Sequence, residues 1–107
     1  MNDPAYVEAA QSLARRVVEK GGGSDAERFG YLFLTCTSRK PKSFESKRLQ
    51  ELLNEAREVY GADAELAKSM ATDPLGMPGG NANLAELAAW TTVANVILNL
   101  DEMIMRR

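Results

Sequence analysis

Apolar residues recur every three or four positions along most of the chain, which is the spacing that places them on one face of an α-helix. This pattern predicts four main amphipathic helices, which begin near residues 3, 24, 43 and 83. A short extra helix is predicted over residues 63–70. The following stretch, residues 72–83, contains two prolines and three glycines, too many for a helix to persist. The alternation by twos that indicates a β-strand is absent, so we predict an all-α fold with four main helices in a compact bundle.

Local capping signals support these helix starts. Ser24 with Glu27 forms a capping box, in which each side chain can bond the backbone N–H of the other. Asp3 before Pro4 predicts the start of the first helix, because proline is well accommodated at a first helical position. Asn83, followed three residues later by an acidic residue, predicts the start of the last helix, which would run for about 23 residues or roughly 34 Å. Ser43 is the predicted cap of the third main helix.

The predicted core consists of the residues that share the apolar face of each helix. In chain order they are Tyr6, Ala10, Leu13 and Val17; Ala26, Phe29, Leu32, Phe33 and Cys36; Leu49, Leu52, Leu53, Ala56, Val59 and Tyr60, closed by Gly61; Leu66 and Met70; and Leu87, Trp90, Val93, Ala94, Ile97, Leu100 and Ile104.

The last helix raises a functional question, because polar residues accompany its apolar face. Asn95, Asn99 and Glu102 share a second face, which also contains Ala88 and Thr92. The simplest interpretation is the solvated outer side of a bundle helix. The functional interpretation is a docking surface for another domain, for which we select Trp90, Asn95, Asn99, Asp101 and Glu102 as possible interaction residues. Trp90 lies on the apolar stripe and is predicted to be a core residue, with a ligand platform as the alternative.

Asp101 lies at the edge of the apolar face, where an unpaired carboxylate is costly to desolvate. We therefore expect it to have a cationic partner or a helix N-terminus, and Arg15 and Arg28 are the candidate side chains. Other carboxylates show no arrangement typical of acid–base catalysis or of metal binding, so no catalytic, cofactor-binding or metal-binding residue is predicted.

Composition sets further limits. The 107 residues suit a single domain, residues 1–107, and the net charge of −2 with a pI of about 5.2 argues against general affinity for nucleic acid. There is no histidine, and Cys36 is the single cysteine. We expect Cys36 to act as a small buried hydrophobe. No apolar run approaches the ~20 residues needed to cross a bilayer, so no membrane insertion is predicted. The first residues do not have the pattern of a signal peptide.

One local charge cluster departs from the acidic balance. Five basic residues fall within residues 39–48. They suit a solvated turn or, alternatively, a contact for an acidic partner. The acidic pI and the five-residue, proline-containing turn argue against a DNA-binding helix-turn-helix formed by the second and third helices. Gly79-Gly80 before a helix start could hold a phosphate, but the full phosphate-loop motif is missing.

Both ends of the chain show a family resemblance. LAELAAWTTVANVILNLDE near the C-terminus and NDPAYVEAAQSLARRVV near the N-terminus resemble the corresponding ends of a planctomycete-specific family of secreted proteins of unknown function. Ser24-Asp25-Ala26-Glu27-Arg28 and the Arg39-Lys40-Pro41 turn follow the family's order. Members of this family carry the domain downstream of planctomycete cytochrome-c-type domains and of a second planctomycete-specific domain.

The resemblance implies that this chain is the C-terminal fragment of a larger protein with a periplasmic or secreted location. It implies partners in the upstream domains of that protein, where the cytochrome-c-type domains would carry haem. The haem-binding Cys-x-x-Cys-His motif is missing from these 107 residues, so no haem role is implied for any of them. We therefore predict a non-catalytic helical interaction module without a cofactor of its own, which packs against the rest of its parent protein through the last helix and residues 72–83. The alternative is a contribution to a composite active site, through Trp90, Asn99, Asp101 and Glu102, in a protein that acts on polysaccharides or in haem-linked electron transfer.

Overall fold

The described residues form five α-helices. The computed structural model describes the backbone of residues 4–105 and the side chains of residues 7–100. Within that range there is no β-strand, and the prediction of an all-α fold is confirmed. The helices are α1 (Pro4–Lys20), α2 (Asp25–Thr37), α3 (Ser43–Ala62), α4 (Ala64–Thr72) and α5 (Leu84–Met105).

Two of the predicted capping signals, at Ser24 and Asn83, act where expected. The Ser24 hydroxyl accepts from the Glu27 N–H at 3.2 Å, and the Glu27 carboxylate accepts from the N–H groups of Ser24 at 3.2 Å and Gly23 at 3.1 Å. Gly22 precedes this cap at φ +108°, and a Cβ there would lie 2.9 Å from the Glu27 Cβ. This turn therefore requires glycine. At the start of α5 the Asn83 side chain accepts from an N–H of the first turn. Asp3 lies outside the described residues.

The ends of α3 differ from the prediction. Lys42, not Ser43, occupies the N-cap position. Its N–H donates to the Glu45 carboxylate at 2.8 Å, so an acidic residue at the third helical position replaces the expected serine cap. At the other end α3 continues through Gly61. The chain turns instead at Asp63, whose side chain accepts from the Leu66 N–H and so starts α4.

α4 also presents a different face from the one predicted. Leu66 is 47% exposed, whereas Ala67 and Ala71 are buried. Met70 packs against the core as a partly buried side chain. α4 packs chiefly against α5, and the small side chains that α4 buries allow two helix backbones to approach closely.

α5 is the central element of the fold, because it contacts each of the other four helices. Ala88 is fully buried, and Thr92 is half-buried with its hydroxyl 3.3 Å from that of Tyr60. The prediction that these two residues belong to a solvated outer stripe is therefore wrong for the first half of α5. A helix that is apolar on all sides is typical of one surrounded by others. Among the described side chains of α5, the buried ones are Leu87, Ala88, Ala89, Trp90, Thr91, Val93, Ala94 and Ile97.

The core around α5 contains most of the predicted residues. Trp90 and Ile97 are fully buried, as predicted, and the Trp90 ring lies 5.4 Å from the Phe29 ring. Besides Leu66 of α4, two predicted core residues are on the surface: Ala26 is exposed and Val59 is 51% exposed. Both lie at the margin of their helix's apolar face, where spacing alone does not fix burial. Cys36 and Leu52 are partly buried, and the side chains of Tyr6 and Ile104 lie outside the described residues.

None of the described helices has both the length and the apolar character needed to span a bilayer.

Candidate interaction surface

An open groove of about 630 Å³ runs between the first half of α3 and the second half of α5. Its apolar lining comes from three helices. These residues are Phe33 of α2, Phe44 and Leu49 of α3, and Val96 and Leu100 of α5. Among the described residues, its polar lining comes from α3: Glu45, Lys47, Arg48 and Glu51. We call this feature the α3–α5 groove.

Helical spacing explains how the walls of the α3–α5 groove arise. Positions 44, 47, 48 and 51 are separated by three, four and seven residues, so they share one face of α3. Val96 and Leu100 are four apart and share one face of α5. Phe44 is 65% exposed and Val96 is 36% exposed. The groove therefore offers apolar surface to solvent beside a well-formed core.

One end of the groove is fixed by Arg39. Its guanidinium donates two hydrogen bonds to the Glu45 carboxylate, at 2.8 and 2.9 Å, and lies 5.1 Å from the centre of the Phe33 ring. These hydrogen bonds, with that from the Lys42 N–H, lower the pKa of Glu45 to about 2. The same pairing raises the pKa of Arg39. The carboxylate is therefore satisfied within the α2–α3 turn.

Lys47 and Arg48 contrast with this paired end. Both are exposed, and neither forms an ion pair with a side chain that the structure describes. Residues 39–51 contain five basic and two acidic side chains, although the chain as a whole has a net charge of −2. On the α3 wall of the groove, Lys47 and Arg48 therefore outnumber Glu51, the acidic lining residue that remains once Glu45 is paired with Arg39.

Two of the five interaction residues predicted from the sequence lie close to this groove. Asn95 and Asn99 are half-buried and flank Val96 and Leu100 in the chain, but they do not line the groove. The Asn95 Oδ1 is buried and has no hydrogen-bond partner among the described residues. The side chains of Asp101 and Glu102 lie outside the described part of the chain, so the structure does not place them. Trp90 has no exposed surface, and a partner would meet it only through the residues that cover it.

A second polar cluster joins α2, α3 and α5 around the side chain of Arg57. Its guanidinium donates to both oxygens of Asp25, at 2.9 and 3.1 Å, and to both oxygens of Glu86, at 2.5 and 3.1 Å. Gln50 adds a hydrogen bond of 3.0 Å to Asp25. These hydrogen bonds, chiefly those from Arg57, lower the pKa of both carboxyl groups, and the two carboxylates raise the pKa of Arg57.

Trp90 connects this cluster to the core. Its Nε1–H donates to Glu86 at 3.2 Å, and the Arg28 guanidinium lies 5.6 Å from its ring centre. Arg28 also donates to the carbonyl oxygens of Val18 and Gly22, at 3.3 and 3.2 Å. The cluster has mutually satisfied charges, and a carboxyl group with a lowered pKa is a poor general acid at neutral pH. The arrangement therefore serves to link α2, α3 and α5 to one another.

A third polar group anchors the segment after α4. Gln11 is fully buried, and its amide donates to the carbonyl oxygens of Met70 at 2.7 Å and Asp73 at 2.9 Å. Its oxygen accepts from the Leu75 N–H at 3.1 Å. One side chain of α1 therefore satisfies three backbone groups where α4 ends. The sequence analysis did not single out Gln11. The signal available there was a polar residue between Ala10 and the next predicted core residue of α1.

Arg15 extends this contact along the same face of α1. It donates to the carbonyl oxygen of Ala71 at 3.2 Å and to that of Gly76. The two candidate partners of Asp101, Arg15 and Arg28, thus both bond backbone carbonyls elsewhere. Beyond this anchor Met77 is 62% exposed and lines a shallow depression beside α1. The docking role predicted for residues 72–83 stays a prediction.

Among the described residues there is no group of three or more Cys, Asp and Glu side chains placed to hold a metal ion.

These features define an all-α domain with a central helix, an internally satisfied ionic cluster and an exposed apolar groove that has Lys47 and Arg48 on one wall. Comparisons with protein-family models, with curated proteins and with solved structures found no match. The resemblance to the planctomycete-specific secreted family therefore stays a prediction.

Proposed function

We propose that this chain is a non-catalytic helical interaction module that holds a protein partner in the α3–α5 groove. The observation that carries this proposal is the exposure of Phe44 at the edge of a concave apolar surface. Phe44 occupies the first turn of α3, where its side chain contributes little to the core. Apolar surface that is both concave and bordered by polar groups is characteristic of sites where proteins bind one another.

The energy available at Phe44 is substantial. A phenylalanine side chain presents on the order of 200 Å² of apolar surface, and 65% of Phe44 is exposed. Covering this area would stabilise a complex by about 3 kcal/mol before the costs of association are subtracted. Val96 and Leu100 would add to this from the opposite wall. A partner that covers all three would therefore have Phe44 as its principal contact.

The identity of the partner follows, in this proposal, from the family resemblance. The partner is an upstream domain of the same larger exported protein, and this chain stabilises the assembly without a cofactor of its own. The quickest test is the reading frame before Met1, which is expected to encode a haem-binding Cys-x-x-Cys-His motif. A frame without such a motif would contradict this part of the proposal and leave the groove as a site for a separate partner.

The binding test compares two exposed apolar residues on the same helix. The upstream polypeptide is expressed separately, and its affinity for wild type, Phe44→Ser and Val59→Ser is measured by isothermal titration calorimetry. Val59 is 51% exposed and lies outside the groove, so it is the matched control. Phe44→Ser is expected to weaken binding about 10- to 100-fold and Val59→Ser less than twofold. Equal effects of the two variants, or no binding by the wild type, would refute docking in the groove.

A further inference from the structure

We infer that the segment held in the α3–α5 groove is an amphipathic α-helix with an apolar stripe and an acidic flank. This inference rests on the proposed function and deepens it, because it states the chemistry of the partner. It depends on two observations: the shape formed by the two walls, and the charge that borders one of them.

The walls favour a helical occupant. Both are helix faces, and the groove between two packed helices accepts the side-chain ridge of a third. The described part of the chain contains no strand edge to which an extended peptide could add. Phe44 and Glu51 mark the two ends of the α3 wall, about 10 Å apart at 1.5 Å per residue. A stripe of apolar residues at positions i, i+4 and i+7 of a partner helix has this length.

The basic residues on the α3 wall favour acidic residues beside the apolar stripe of the partner helix. Lys47 and Arg48 are exposed on the α3 wall without an ion-pair partner among the described side chains. Glu45 is already paired with Arg39 at 2.8 Å, which leaves Glu51 as the single acidic lining residue without an ion pair in the described structure. Charges at the border of an interface steer association and select the partner. A helix with glutamates facing α3 is therefore favoured over one with lysines.

The mixture of basic and acidic side chains on the α3 wall favours a protein partner over an anionic membrane. A membrane-bound surface inserts protruding apolar side chains between basic residues. Here most of the apolar lining lies within a depression, and carboxylates of Glu45 and Glu51 belong to the same lining. Those carboxylates would approach lipid phosphates, which is unfavourable. A peptide can avoid them by placing its acidic residues opposite Lys47 and Arg48.

The test uses three synthetic helical peptides labelled with fluorescein. The acid-flanked peptide has leucines at i, i+4 and i+7 with glutamates beside them. The base-flanked peptide has lysines in place of those glutamates, and the shuffled peptide has the acidic composition without a continuous stripe. Fluorescence anisotropy gives the affinity of each for the folded chain. The acid-flanked peptide is expected to bind at least about tenfold more tightly than either of the others.

Charge reversal on the chain provides the matched comparison. Lys47→Glu with Arg48→Glu is expected to weaken the acid-flanked peptide about tenfold and to strengthen the base-flanked peptide. Arg16→Glu with Lys68→Glu makes the same change in net charge at exposed positions outside the groove. This control pair is expected to alter either affinity less than threefold. Circular dichroism confirms that all variants remain helical.

The outcomes separate the inference from the proposed function. Equal binding of acid-flanked and base-flanked peptides, with both lost in Phe44→Ser, would overturn the acidic partner and retain the docking groove. Failure of every peptide to bind, or equal binding of the shuffled peptide, would count against both. Binding to phosphatidylserine vesicles that depends on Phe44, without peptide binding, would overturn the inference in favour of a membrane surface.

Discussion

Replacement of Arg57 by methionine tests the ionic cluster that joins α2, α3 and α5. Methionine keeps the length and apolar character of the aliphatic part of the side chain and removes the guanidinium. The carboxylates of Asp25 and Glu86 would then lose four hydrogen bonds between them. They would also face each other without an intervening positive charge.

The size of the effect follows from the exposure of the pair. Exposed ion pairs contribute about 0.2–1 kcal/mol each, and hydrogen bonds to charged groups contribute about 1.5–3 kcal/mol when buried. The Arg57 side chain is 34% exposed, so solvent screens much of its interaction with each carboxylate. We take about 1 kcal/mol for each carboxylate. Arg57→Met is therefore expected to lower the free energy of unfolding by about 2 kcal/mol at neutral pH.

The lowered pKa values of the two carboxyl groups also predict how the destabilisation by Arg57→Met varies with pH. Arg57 lowers the pKa of Asp25 and Glu86 in the folded chain from ordinary values of 3.8 and 4.5. A lowered folded-state pKa contributes stability that is fully present above the unfolded-state value and is lost as the pH falls through the folded-state value. The destabilisation by Arg57→Met is therefore expected to be largest above about pH 5. It should shrink as the pH is lowered below the ordinary values.

Urea unfolding followed by far-ultraviolet circular dichroism, repeated across the acid range, measures both quantities. Arg48→Met is the matched control, because Arg48 lies on the same helix and forms no ion pair with a described side chain. It is expected to change the free energy of unfolding by less than about 0.5 kcal/mol at any pH. A loss in Arg57→Met that did not vary with pH, or that matched the control, would refute this account of the cluster.

Three further predictions concern the anchor, the groove end and the core. Gln11→Leu leaves three backbone groups without their partner and is expected to cost about 2–4 kcal/mol in urea unfolding, with faster hydrogen exchange where α4 ends; an unchanged exchange rate would contradict this anchor. Arg39→Met is expected to raise the pKa of Glu45 from about 2 towards 4.5, as measured by carbon-13 NMR of the carboxyl group. The wild type loses the stability contributed by this pair as the pH falls from 4.5 to about 2, and the variant, which has no such pair, does not. An unshifted titration would argue against the pairing. Leu53→Ala is expected to cost about 2–5 kcal/mol and Leu66→Ala less than about 0.5 kcal/mol, and the reverse order in thermal or urea unfolding would mean that α4 packs through its leucine.

Local chemistry made the helices predictable. The Ser24 and Asn83 caps act between neighbouring residues, so the starts of α2 and α5 could be inferred without knowledge of the fold. The proline and glycine content of residues 72–83 likewise excluded a helix by backbone sterics alone. The start of α3 was less predictable, because Lys42 occupies a position usually held by a residue that can accept a hydrogen bond. Here Glu45 supplies the compensation from three residues away.

Tertiary packing explains most of what could not be predicted. The spacing along α5 identified one apolar face, but the number of neighbours around that helix decides whether Ala88 is buried. Arg57 meets Asp25 and Glu86 across 32 and 29 residues of sequence, and no local pattern indicates such a pairing. The α3–α5 groove has the same origin. The basic residues near Phe44 were apparent in the sequence, and the apolar surface beside them depends on how α5 crosses α3.

The most direct measurement of the central claim locates a bound helix on the surface of the chain. A nitroxide label at the middle of the acid-flanked peptide broadens the NMR signals of nearby residues. We expect the signals of Phe44, Val96 and Leu100 to broaden and those of Val59 and Met77 to remain sharp. Broadening centred on Met77 and residues 72–83, or spread evenly over the surface, would contradict the assignment of the α3–α5 groove as the docking site.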